Sequence, residues 1–450
     1  MALQCDAIVI GSGQGGVPLA KALARNGRSV YLFESGDIGG TCVNNGCTPS
    51  KSFLASAHAA GRARRASAIG VHTDISVDFP HVMERVRSII AKFRSRSAQR
   101  LANAGVHIVK ARARFTGTRV VAGGDVEVTA PTIVIDTGGL PSLPSIEGLS
   151  QTPFLTNESF FSLTALPRRA IVIGGGYIGL ELGQGLARCG SEVHILVREE
   201  HVLAREEPDA SALVADALRE DGVTFHFNAG ERRVRSSGGM VVVEMTDGTQ
   251  LEADALLVAT GRTPNTADLH AEASGIELNE HGFIRVDDYL RSTCDGVYAI
   301  GDAAGQPPFT HVSYEDYRRV LSTLNGEPRK RDDRVLGYTT FTDPQLAVVG
   351  LTIDQARERG IDARVETLPL SSVARAIEWN ELRGFYRMVI DNATDRIIGA
   401  TLVGYEAGEL AHVFIAHMEA GSTWQVLARS VHIHPTYAEG LPSLAELFRL

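Results

Sequence analysis

Cysteine is scarce: five in 450 residues, an odd number, which excludes the disulfide framework that staples small extracellular domains. Long apolar runs are missing as well. No stretch approaches the roughly 18 consecutive apolar residues of a membrane span, so no membrane partner is expected. Positive charge is in deficit, with 44 Lys and Arg against 53 Asp and Glu and a formal net charge of -9, which argues against nucleic acid as a principal partner. The local basic stretches, Arg62 to Arg65 and Lys92 to Arg100, read as solvated helix faces. A basic start with a cleavage site is also lacking, and the first residues pass directly into the apolar run Ala7-Ile-Val-Ile10.

What remains is an ordinary globular composition, 44% hydrophobic and 22% charged, at a length that predicts two or three domains. Two of the cysteines carry the chemistry. Cys42 and Cys47 lie in Gly39-Gly-Thr-Cys-Val-Asn-Asn-Gly-Cys-Thr-Pro-Ser-Lys51, a glycine- and asparagine-rich turn followed by a helix starting near Thr48-Pro49. A thiol at a helix N-terminus sits in the positive end of the dipole, which favours the thiolate. Two sulfurs joined by so short a loop can be oxidised and reduced reversibly. Zinc sites more often use two-residue spacing with a second ligand pair, and no such pair is evident, so no metal site is expected. Cys5, Cys189 and Cys294 fall in strand- or helix-like segments and are expected to be buried and inert.

Two nucleotide signatures frame that pair. The first is a strand ending at Ile10, the glycines Gly11, Gly13 and Gly16, a helix through Arg25, a strand Ser29 to Phe33, and Glu34 at its end. The glycines let backbone approach a pyrophosphate at the helix N-terminus, and the acid can accept hydrogen bonds from a ribose diol. The second begins at Ala170-Ile-Val-Ile with Gly174, Gly176 and Gly179, then Glu181 and a strand Glu192 to Val197. Between and beyond them, helical patterns run from Ser52 to Arg65 and Phe79 to Ala104. Strand-like segments stand at 107–111, 119–121, 126–128, 241–244 and 255–259. The charged interval Asn325 to Asp333 reads as a linker, followed by an α+β segment with strands at 385–390 and 397–405 and a helix at 408–420.

Taken together, these motifs resemble the pyridine nucleotide-disulfide oxidoreductases, the family of glutathione reductase, dihydrolipoamide dehydrogenase and mercuric reductase. The resemblance covers nearly the whole chain. Further landmarks are Thr132-Ile-Val-Ile-Asp-Thr-Gly-Gly, with Asp136 where the family usually has alanine, Thr260-Gly-Arg-Thr-Pro-Asn265, and Gly296-Val-Tyr-Ala-Ile-Gly-Asp302. The wording of Phe309 to Arg318 is closest to the mercuric-reductase-like and reactive-chlorine-reductase-like branches.

The resemblance implies an α/β fold of two nested Rossmann-like dinucleotide-binding domains plus a C-terminal α+β dimerisation domain. The expected divisions are 1–145 and 263–330 for FAD, 146–262 for NAD(P) and 335–450 for the interface. FAD is expected at Gly11, Gly13, Gly16, Glu34, Gly40, Thr41, Lys51 and Asp302, and a nicotinamide cofactor at Gly174, Gly176 and Gly179. Cys42 would exchange with substrate and Cys47 would contact the flavin. Lys51 would pair with Glu181 beside it, and Tyr177 would cover it until nicotinamide arrives. In Val431-His-Ile-His434-Pro-Thr-Tyr-Ala-Glu439, His434 would be the general acid-base and Glu439 its orienting partner, while His432 packs or bonds structurally. The family's histidine serves the partner subunit's cysteines, so a homodimer is implied.

For the nicotinamide, Val197 stands where dihydrolipoamide dehydrogenases have glutamate, and Arg198 follows as in glutathione and mercuric reductases. With Arg205 as a second phosphate contact, NADPH is favoured over NADH, although Glu199 and Glu200 oppose a phosphate. The acceptor is expected to be a small disulfide. Metal ions (mercuric or cupric) and hypohalous or hypothiocyanous oxidants are alternatives on the same scaffold. Ending at Leu447-Phe-Arg-Leu450 without a cysteine pair weighs against mercury. A docking or redox-sensing flavoprotein is the rival of another class, disfavoured by the complete catalytic set. The cytoplasm, where thiols stay reduced, is the expected compartment.

Overall fold

The run Ala7–Ile10 carries no polar side chain on either face, which suits a strand covered on both sides. In the computed structural model, which describes residues 2–449, it is β1, and all four of its residues are buried. After helix α1 (Gly16–Arg25) come β2 (Val30–Phe33), the short helix α2 (Gly40–Asn44), α3 (Cys47–Arg65), α4 (Phe79–Ala102), β3 (His107–Val109) and β4 (Thr132–Ile135). The chain then leaves this unit. It builds β5 (Arg169–Ile173), α5 (Tyr177–Cys189), β6 (Glu192–Leu196), α6 (Pro208–Glu220), β7 (Val223–His226) and β8 (Ala255–Val258), and returns as β9 (Val297–Ala299) and α7 (Thr310–Leu324).

One parallel sheet has the order β9-β4-β1-β2-β3 and the other β7-β6-β5-β8. The second lies within the sequence of the first, so the nesting is real. Both glycine turns obey one constraint. Gly11 (φ 103°) and Gly174 (φ 118°) each lie so close to the neighbouring strand that a Cβ would stand 2.1 Å from the Asp136 carbonyl oxygen and 2.3 Å from that of Ala259. Only glycine fits such a position.

The last segment forms an antiparallel sheet of β10 (Gly337–Thr340), β11 (Gln345–Gly350), β12 (Ala363–Pro369), β13 (Phe385–Asp391) and β14 (Ile397–Gly404), in the order β10-β11-β14-β13-β12, backed by α8 (Ala407–Glu419). Its loop before β11 is clamped to α5. Buried Arg188 bonds Asp221 at 2.7 Å and Asp343 at 2.8 Å, and Gln184 donates to the Asp343 carbonyl at 2.9 Å. Between Arg188 and Arg65, the Asp343 carboxyl is held well below the usual carboxylate range despite its burial.

Local departures from expectation have physical reasons. Cys42 sits in the short helix α2 instead of an open turn, because Gly39 (φ 114°) and Gly40 (φ 59°) bend the chain early enough to close a helical turn. A strand at Arg114–Gly117 was not evident, because its hairpin partners sit on a small side sheet where local pairing outweighs pattern. Cys189 and Cys294 are buried, but Cys5 is half-buried and Cys294 lies in a bend.

Candidate active site

Cys47 is the first residue of α3, whose N-cap residue, Gly46, offers no side chain to satisfy the exposed amides. Its sulfur therefore faces the positive end of a long helix. Thr310, the first residue of α7, places its hydroxyl oxygen 3.0 Å from the same sulfur. The two sulfurs are not joined in a disulfide, and their surroundings shift them in opposite directions. A hydrogen bond from Cys42, the Thr310 hydroxyl and the Lys51 ammonium outweigh burial and bring Cys47 down to about 6. The bond to Cys47 and burial hold Cys42 above the ordinary thiol range. The surroundings thus favour the thiolate on Cys47 and the proton on Cys42.

One turn into α3, the Lys51 ammonium contacts a Glu181 carboxylate oxygen at 2.7 Å, and the Glu181 side chain is only 3% exposed. The second carboxylate oxygen accepts the Phe341 backbone N–H at 2.9 Å, and Lys51 lies 4.5 Å above the Phe341 ring centre. Leaving Glu181 charged without its lysine would cost about 3 kcal/mol. Tyr177 opens α5, and burial pushes its hydroxyl up to about 12. Its ring is 6.3 Å from that of Phe309, which in turn stacks on Tyr338 at 5.0 Å.

These groups converge on one cavity of about 1220 Å³, and the first glycine turn, Glu34, Gly40, Thr41 and Asp302 line it too. Glu34 accepts hydrogen bonds from Ser12 (N–H 2.9 Å, hydroxyl 2.6 Å) and from the Gly36 N–H at 2.7 Å. Asp302 takes a guanidinium N–H of Arg262 at 3.0 Å. Two further lining atoms, Asn45 Oδ1 and Thr137 Oγ1, are buried without a hydrogen-bond partner. Such groups are normally satisfied, so their orphaned state on this wall fits a polar ligand along it. A cavity of this volume, a glycine turn against a helix N-terminus and an acid at the second strand suit a flavin dinucleotide.

Other expected residues lie elsewhere. The second glycine turn, with Gly176 and Gly179, opens α5, and the Arg198 side chain, after β6, is 86% exposed and bonded to Glu199 at 2.8 Å. Arg205 is exposed. His434 Nδ1 meets Glu439 at 2.7 Å, but its side chain is 73% exposed, and among the described residues neither lines the cavity. Val431 and Ile433 beside it are 98% and 79% exposed, an apolar segment left uncovered by the described residues of its own chain. His432 bonds the Ser430 hydroxyl at 2.9 Å. Thr310, Phe341 and Arg262 were missed from sequence. Their motifs were read as landmarks, and nothing local says which atom reaches the sulfur, the glutamate or the aspartate.

Fold and site together define a flavin-dependent redox enzyme working through a dithiol. The pyridine nucleotide-disulphide oxidoreductase pattern matches residues 5–316, and that family's dimerisation domain matches residues 337–445, so the chain belongs to this family. It is 35% identical to the probable pyridine nucleotide-disulfide oxidoreductase RclA of Escherichia coli K12, over 99% of each chain. It is 36% identical to a mercuric reductase of Streptomyces lividans, over 98% of this chain and 96% of that one. A dihydrolipoyl dehydrogenase of Haloferax volcanii is 32% identical, over 98% and 95%. Among solved structures, the Cu(II) complex of the HOCl-induced flavoprotein disulfide reductase RclA from E. coli superposes with a TM-score of 0.91 at 34% identity, covering 99% of both chains. The protein is accordingly an NAD(P)H-dependent flavoprotein disulfide oxidoreductase with FAD and a nicotinamide cofactor, and a homodimer through its C-terminal domain. No helix among the described residues is long and apolar enough to cross a membrane.

Proposed function

We propose that the protein uses NADPH to reduce a small disulfide, in the cytoplasm, through Cys42 and Cys47. The observation that carries this reading is the placement of the two sulfurs, which line the dinucleotide cavity with Cys47 at the N-terminus of α3 and the Thr310 hydroxyl 3.0 Å from its sulfur. FAD held along the cavity supplies the two-electron relay between nicotinamide and the Cys42–Cys47 disulfide. Once reduced, Cys42 must lose its proton to act, and His434 of the partner subunit, oriented by Glu439, is the base that takes it. Cys42 then attacks one sulfur of the substrate disulfide, and His434 returns the proton to the departing thiolate. The Cys47 thiolate attacks Cys42, re-forms the internal disulfide and expels the second substrate sulfur as a thiolate, which takes its proton from solvent. Lys51, held by Glu181, would set the charge at the flavin, and Tyr177 would cover the flavin until nicotinamide displaces it.

Turnover with both nicotinamides across glutathione disulfide, other small disulfides, Hg(II), Cu(II), quinones and hypothiocyanite tests the reading. Steady NADPH consumption with a disulfide is the expected result. A single stoichiometric reduction with no turnover on any acceptor would favour a sensing role. Reduction of a metal ion or reactive chlorine species is the second reading, favoured by the likeness to proteins named mercuric reductase and HOCl-induced reductase.

For the choice of nicotinamide, Arg198→Ala is expected to raise KM for NADPH about tenfold, the size of one charge-assisted hydrogen bond, and to leave KM for NADH nearly unchanged. Because Glu199 already occupies the guanidinium, Glu199→Gln is expected to lower KM for NADPH. Equal effects of Arg198→Ala on both cofactors would remove the phosphate contact.

A further inference from the structure

Asp136 follows β4 and reaches under the first glycine turn. It is 6% exposed. One carboxyl oxygen accepts the Gly16 N–H at 2.7 Å, and the other accepts the Ser313 hydroxyl at 3.1 Å. A Cβ added to Gly13 would lie 2.6 Å from Asp136 Oδ2, so the carboxyl is packed directly against the turn and lines the dinucleotide cavity. It also takes an amide at the start of α1, the helix end that a pyrophosphate would otherwise have to itself.

Among the described residues, no cation forms an ion pair with this carboxyl, whose hydrogen bonds come from the Gly16 N–H and the Ser313 hydroxyl. The charged groups that weigh most on it are Asp302, after β9, and Asp316, on α7, and both are acids. The nearby arginines are committed elsewhere, Arg262 to Asp302 at 3.0 Å and Arg334 to Asp316 at 2.6 Å. From α1 and its turn come only backbone amides, and from α7 the Ser313 hydroxyl besides Asp316.

We propose that Asp136 is a positioning residue of the flavin cradle that must hold a proton while the pyrophosphate is bound, so that flavin binding takes up a proton and weakens as pH rises. The proposal rests on the assignment of FAD to the first glycine turn. As a neutral acid, Asp136 donates its proton to the Ser313 oxygen and still accepts from Gly16. Ionised, it sets a buried negative charge against an incoming dianion in a poorly screened site. Burial, reinforced by Asp302 and Asp316, pushes its carboxyl up to about 7 in the free cradle. The sign follows from linkage. Below that pH the proton is already present and affinity is flat. Above it, one proton must be taken up for each flavin, and the dissociation constant rises about tenfold per pH unit until the bound-state value is reached.

The test measures flavin released from diluted holoenzyme by fluorescence after ultrafiltration, between pH 6 and 9, with far-UV circular dichroism in parallel. Wild type is expected to lose affinity about tenfold or more between pH 7 and 9. Asp136→Asn, which keeps the shape and both hydrogen bonds without a titrating proton, is expected to give a flat profile and to hold flavin more tightly than wild type at pH 9. Asp136→Ala serves as a second non-titrating variant should the asparagine variant fold poorly, and its profile is expected to be flat too. A purely packing role would shift affinity equally at all pH values. Parallel wild-type and variant profiles, or a flat wild-type profile, would overturn the role of Asp136 while leaving the FAD assignment intact. A preparation holding no flavin at any pH would overturn both.

Discussion

Cys42→Ser is expected to lower turnover with disulfide acceptors by ~10³-fold or more, while reduction of the enzyme by NADPH persists. The serine hydroxyl has no sulfur to exchange, yet it can still donate to Cys47. The Cys47 thiolate and its long-wavelength absorption beside the flavin should therefore survive to a pH near the wild-type value of about 6. Cys42→Ala separates the two roles. It abolishes exchange equally and also removes the largest influence holding Cys47 low, so the absorption band should titrate at a visibly higher pH. Undiminished disulfide turnover in either variant would take Cys42 out of the chemistry. A band that titrates identically in both would show that the Thr310 hydroxyl and Lys51 suffice without it.

Substituting His434 with glutamine should reduce kcat for disulfides by roughly 10²- to 10⁴-fold, the usual range for losing a positioned proton carrier. Because His434 stands outside the cavity of its own chain, with Val431 and Ile433 exposed beside it, the decisive version mixes subunits. In a hybrid of one Cys42→Ser and one His434→Gln chain, a histidine working across the dimer leaves one site with both wild-type groups and the other with neither. Such a hybrid should regain about half the wild-type activity per dimer. A histidine serving its own chain would leave each site defective, and the hybrid would be as inactive as its parents. Glu439→Gln, which keeps a hydrogen-bond acceptor for the ring at 2.7 Å, should cost less than loss of the histidine.

Much of this protein is legible along the chain because its signals are local. A strand, a glycine turn and a helix announce themselves through periodicity and backbone freedom, and Gly11 and Gly174 show why: no other residue fits beside the Asp136 and Ala259 carbonyls. Cys42, Cys47 and Lys51 share one loop and helix, so their spacing alone brings them together. Even the departure at Asp136 was visible as a letter out of place. Its burial under Gly13 and Gly16 was not, because α1, β4 and α7 meet there from separate parts of the chain. The same is true of Thr310, which reaches Cys47 from 263 positions away, and of the Phe341 amide, which reaches Glu181 from 160 away.

From sequence by itself follow the two nucleotide-binding units, the reactive sulfur pair and the C-terminal histidine element, since each depends on covalent spacing and backbone conformation within a short window. Only the tertiary structure decides which sulfur is favoured to keep the proton, which carboxyls are buried and which groups stand outside the cavity of their own chain. Proton affinities are set by neighbours in space, through burial, hydrogen bonds and Coulomb interactions over a few ångströms, and those neighbours come from segments that nothing along the chain places side by side.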